Sequence, residues 1–78
     1  MTKQAIDDCM RQSVDQYLHD LQGERPHEVY GLFIQAAEKP LLETVMRHAQ
    51  GNQSLAAEWL GINRNTLRSK LLSHRLLK

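Results

Sequence analysis

Residues 51–71 read GNQSLAAEWLGINRNTLRSKL, and the rest of the chain is best understood outward from them. Asn52 is a residue type that caps a helix by accepting a hydrogen bond from its first turn, which starts a short helix over Gln53 to Leu60. Ala56 and Ala57 leave that helix thin enough for a neighbour to approach closely. Gly61-Ile62-Asn63 then forms a turn, because only glycine takes a positive φ without a steric penalty. A further helix follows from about Arg64 to Ser73, with Leu67 and Leu71 on its inner side and Arg64, Arg68 and Lys70 elsewhere on its surface. Two short helices joined by a three- or four-residue turn containing glycine describe a helix-turn-helix. An ordinary helical hairpin has the same periodicity, so spacing alone does not separate the two. The polar face does: Asn63, Arg64, Asn65 and Thr66 cluster at the start of the second helix, the end that reaches base edges when such a helix enters a major groove.

Upstream, residues 5–21 place Ile6, Met10, Val14, Tyr17, Leu18 and Leu21 at three- and four-residue spacing between aspartates. That pattern predicts an amphipathic helix ending near Gln22, with Gly23 beyond it. Pro26 is placed to open the next helix, where its missing N–H costs nothing. This second helix is predicted from about His27 to Ala49 and to be closed by Gly51. Val29, Leu32, Phe33, Ala36, Ala37, Leu41, Val45, Met46 and Ala49 form one wide apolar stripe, broadened by Tyr30, Ile34 and Leu42. Pro40 inside it predicts a kink and not a stop, since apolar spacing continues past it. Nothing alternates as a strand does, so the fold class is all-α.

The net charge of +1 conceals an asymmetry. Residues 1–50 carry five Lys/Arg against eight Asp/Glu, a net of −3, whereas residues 51–78 carry five against Glu58 alone, a net of +4. A one-sided charge can be a solvated face, but local charge density is what attracts phosphates. The organisation expected is thus residues 1–50 as dimerisation helices and 51–78 as the DNA-binding region of one domain. A chain of 78 residues is near the size at which a core alone sustains a monomer, and the second helix has more apolar surface than one short neighbour covers, so a homodimer is expected. The single cysteine, Cys9, excludes an internal disulfide and suits a cytoplasmic location. No apolar run is long enough for a signal peptide or membrane span.

The segment PLLETVMRHAQGNQSLAAEWLGINRNTLRSKL, residues 40–71, closely resembles the C-terminal region of the Fis family of bacterial nucleoid-associated, DNA-bending proteins. It also resembles the DNA-binding domain that ends NtrC-type activators. The likeness extends over nearly all of residues 5–72, through Tyr17, Leu21, Gly23, Tyr30 and the mid-helix Pro40. It implies a dimer whose first two helices intertwine into a four-helix core carrying two helix-turn-helix units. By position, it implies DNA contact from Asn63, Arg64 and Thr66, with Arg64 reaching a base edge, and backbone contact from Asn52, Ser54 and Lys70. Together with Asn65 and Arg68 these are the candidate site residues. Family members that stimulate DNA inversion do so through an N-terminal hairpin arm; here Met1 to Gln4 precede the helical pattern, so no stimulation is expected.

Two departures support an alternative reading. Leu55 and Ser69 stand where the best-known members carry basic residues, which would suit a dimeric protein-interaction module with weakened DNA binding. The tail SHRLLK is also more apolar than a solvated tail requires. An enzyme is not expected: His19, His27, His48 and His74 are too scattered for a metal site, no nucleophile motif or phosphate-binding glycine loop occurs, and no cofactor or small-molecule substrate is implied. Cys9 is expected to be a small buried hydrophobe and Trp59 a packing residue.

Overall fold

Thr2 starts the first helix by accepting, on its side-chain oxygen, a hydrogen bond of 3.1 Å from the Ala5 N–H, which satisfies a donor the first turn leaves without a helical partner. The computed structural model describes residues 2–77, and four helices follow in order: α1 (Lys3–Asp20), α2 (Val29–His48), α3 (Gln53–Leu60) and α4 (Arg64–Ser73). There is no strand among the described residues, and the class is all-α. None of the described helices is long and apolar enough to cross a membrane.

The chain forms two compact units, Met1–Phe33 and Ile34–Lys78. In the first, the Tyr17 ring on α1 meets Phe33 edge to face, with centroids 5.6 Å apart and planes at 81°, a favoured aromatic geometry. Yet α1 buries none of its residues. Ile6 and Leu18 of the predicted stripe are exposed, and so is Cys9, contrary to expectation. The reason is that one chain supplies too little partner surface to cover the stripe.

Two boundaries differ from those predicted. Gln22 and Gly23 both take left-handed φ values, 51° and 92°, which turn the chain just after α1. Pro26 does not open α2. Residues 24–27 have no regular structure, and Glu28, at φ 51°, cannot continue a right-handed helix backwards, so α2 begins at Val29. The helix then runs unbroken through Pro40, although proline cannot supply the bond to the Ala36 carbonyl.

The other three helices share one way of ending. In each, a residue in the left-handed region lets the next N–H reach back five residues. For α2 that residue is Gln50 (φ 55°), followed by the expected Gly51, which is left-handed as well (φ 79°) and whose N–H donates to the Met46 carbonyl at 3.0 Å. For α3 it is Gly61 (φ 73°), with Ile62 donating to Ala57 at 3.1 Å. For α4 it is Arg75 (φ 59°), with Leu76 donating to Leu71 at 2.8 Å. This motif pairs the residue beyond the turn with the last apolar turn of the helix. Accordingly Ile62, Leu76 and Leu77 are half-buried and packed on the core, which accounts for the apolar tail.

That core belongs to the second unit. Leu42 and Ala49 of the α2 segment, Ala56 and Ala57 of α3, and Leu67 and Leu71 of α4 are its buried members. The two alanines are almost fully enclosed, so α4 packs against α3 with little between the backbones. Burying Leu67 and Leu71 fixes which side of α4 faces inward, and with it which side faces solvent.

Candidate nucleic-acid interface

Two asparagines define the starts of the helix-turn-helix. Asn52 Oδ1 accepts the Leu55 N–H at 3.0 Å, and Asn63 Oδ1 accepts the Asn65 N–H at 2.7 Å. Each amide oxygen is used by its helix, and each amide nitrogen is left as a donor. The remaining N–H groups of these first turns add partial positive charge at both helix starts, which suits phosphate. Asn52 and Ser54, the cap and second residue of α3, are exposed, and so are Asn63, Arg64, Asn65, Thr66 and Arg68 on and around the start of α4. Seven of the eight predicted residues therefore lie on the solvent side of the helix-turn-helix.

Lys70 is different. Its Nζ donates to Glu38 Oε2 at 2.9 Å, and His74 Nε2 lies 2.8 Å from Glu38 Oε1. Glu38 comes from α2, and both contacts span more than thirty residues. Hydrogen bonds from Lys70, then from His74, hold the Glu38 carboxyl below its ordinary pKa, outweighing the burial that opposes ionisation. A depressed folded value means that this contribution to stability is fully present above the unfolded pKa. It is lost as the pH falls through the folded one.

Leu55, one of the two departures, is half-buried and packed against the core; Ser69 is exposed. Trp59 is not the packing residue expected, being 54% exposed on α3, because Ala56, Ala57 and Leu60 already occupy the inward side. Among the described residues no group of three His, Cys, Asp or Glu converges as a metal site would require. An open depression of about 540 Å³ has Glu43, Arg47, Gln53 and the tail leucines in its lining, without a histidine, serine or cysteine. Glu38 is the residue that sequence reasoning missed. Its partners lie 32 and 36 positions away, and no local pattern marks it.

A short helix capped by asparagine, a left-handed glycine turn, and a second capped helix whose exposed start bears Arg64, Asn65 and Thr66 define a helix-turn-helix protein. A family model described as bacterial regulatory protein, Fis family, matches residues 33–73. A Fis-like DNA-binding protein of Ralstonia nicotianae is 58% identical over 77 residues, covering 99% of this chain and 100% of that relative. A Fis-like DNA-binding protein of Neisseria meningitidis serogroup A is 51% identical over 72 residues, covering 92% and 91%. The DNA-binding protein Fis of Psychromonas ingrahamii is 45% identical over 71 residues, covering 91% of this chain and 72% of the relative. The chain belongs to the Fis family, a family of DNA-binding proteins.

Proposed function

We propose that this protein binds and bends duplex DNA as a homodimer, acting in the bacterial cytoplasm on the nucleoid as a regulator or architectural protein and not as an enzyme. The observation that carries the reading is the exposed run Asn63–Thr66 immediately ahead of the buried Leu67. Polar side chains that the core does not use stand at the end of a helix shaped to enter a major groove. Residues 1–50 serve dimerisation in this reading, which is supported by the uncovered apolar faces of α1 and α2.

Arg64 has the side chain suited to bidentate contact with guanine O6 and N7. Arg64→Ala should then cost roughly 1–3 kcal/mol and relax preference at one base position in each half-site, leaving the dimer intact. Binding titrations against a set of single-base variants measure this. An equal loss on every sequence would reassign Arg64 to the DNA backbone.

Bending follows if the two recognition helices lie closer than the roughly 34–36 Å between successive major grooves. The duplex must then curve and narrow its central minor groove, a deformation that costs on the order of 1–6 kcal/mol and is cheaper for A/T-rich or flexible centres. The recognition sequence should be degenerate. Replacing the central base pairs by G/C-rich ones, with the flanks kept, should weaken binding several-fold, and circular-permutation gels should show a bend. Indifferent affinity together with unbent DNA would refute reading by shape.

A further inference from the structure

Lys70 lies on the flank of α4, three residues after the buried Leu67 and next to the buried Leu71, and its ammonium is directed to Glu38 of α2 at 2.9 Å. His74, which caps the same helix, meets the other oxygen of that carboxylate at 2.8 Å, and its side chain is only 8% exposed. Both Glu38 oxygens are thus taken by two residues one turn apart at the C-terminal end of the recognition helix. We infer that Glu38 is a positioning residue that clasps the recognition helix to α2 and withholds Lys70 from DNA phosphate, an inference that rests on the DNA-binding reading.

The physical argument is one of competition and geometry. A lysine ammonium is a compact point charge, and its charge is locally neutralised when a carboxylate occupies it at hydrogen-bond distance. The Lys70 side chain is 38% exposed and its ammonium has donors to spare. Meeting a phosphate while keeping that partner, however, sets carboxylate and phosphate charges side by side, and giving it up leaves Glu38, whose side chain is only 22% exposed, with His74 alone. Freed, the carboxylate would also add a negative charge near the phosphates. Kept in place, the pair of contacts ties the C-terminal turn of α4 to a helix that shares its core, complementing Leu67 and Leu71, which hold the helix but leave its long axis less constrained. Among the candidate site residues, Arg64 and Arg68, nearer the start of α4 and exposed, are then the cations left to contact DNA.

The experiment is the salt dependence of duplex binding by the full chain, with a random-sequence duplex as probe and a thermal double-mutant cycle beside it. Arg68→Ala should lower the slope of log affinity against log salt by about 0.9, the change for one lost phosphate contact. Lys70→Ala should leave the slope unchanged. Glu38→Gln, which keeps a carbonyl oxygen but removes the competing charge, should steepen it by up to about 0.9 as Lys70 becomes free. In the cycle, Lys70→Ala and His74→Ala should each lower the melting temperature by a few degrees in the wild-type background and by less when Glu38 is already glutamine. A slope reduced by about 0.9 in Lys70→Ala would place that lysine on a phosphate and overturn the inference. Fully additive melting shifts would overturn it as well. If the wild-type chain shows no salt-dependent binding, the DNA reading has failed, and the thermal cycle alone decides whether the clasp exists.

Discussion

Leu32→Glu should turn the proposed dimer into a chain that sediments as a monomer, melts at lower temperature and loses most of its hold on DNA. Leu32 lies in the apolar stripe of α2 and is 47% exposed in the single chain, as Tyr30, Ile34 and Leu41 are exposed in varying degree. A partner helix would cover that surface, and each subunit would bring its own carboxylate to the seam, where an unpaired charge is strongly disfavoured. Separation of the subunits would cost more than the contacts of one residue. Two linked half-site contacts become two independent ones, so affinity for a full site should fall by about 10²–10⁴-fold. Wild-type melting should depend on concentration for the same reason. Sedimentation equilibrium and gel shifts on one preparation test both halves; a Leu32→Glu dimer persisting at micromolar concentration with full affinity would sink the assignment.

Leu67→Ala should be the most damaging single truncation within the helix-turn-helix. The side chain is fully buried and stands directly behind the polar run that would meet DNA. Removing three of its carbons leaves a cavity in a small core, at a cost of roughly 2–5 kcal/mol, against a total stability of about 5–15 kcal/mol for a typical domain. The alanines of α3 cannot expand to fill the space, so relaxation would move α4. Leu72→Ala, one residue beyond Leu71 and 47% exposed, should change stability by no more than about 0.5 kcal/mol. Chemical denaturation of the two variants makes the comparison. A Leu67→Ala loss no larger than that of Leu72→Ala would show that the core does not seat the recognition helix.

How much of this was legible beforehand depended on the range of the interactions involved. The bounds of α3 and α4, the cap at Asn52 and the turn at Gly61 were expected and found, because each is set within a few residues by capping oxygens and a positive φ. The cap at Asn63 was not foreseen, its residue having been read as part of the turn. The start of α2 was misjudged. Pro26 is a sound local signal for a helix start, but the left-handed conformation of Glu28 overrode it. Gln50 took the closing position of α2 although a glycine stood next to it, which residue preference alone would not have chosen. Cys9 and Trp59 failed in the same direction, both being more exposed than expected, since burial depends on how much neighbouring surface the chain supplies. Glu38 was invisible for another reason: one carboxylate on a helix face looks like any other until its distant partners are brought to it.

The sharp change from exposed to buried between Thr66 and Leu67 also has a bearing on how readily such a protein could be re-aimed at new DNA. Arg64, Asn65 and Thr66 form three consecutive solvent-facing positions between the capping Asn63 and the first core leucine. If they meet base edges as proposed, they amount to an exchangeable cassette, in which side chains can be varied while the cap, the turn and the packing on either side stay as they are. Diversity in site preference can therefore accumulate there with little consequence for folding, whereas the same freedom one residue further along would dismantle the helix pair.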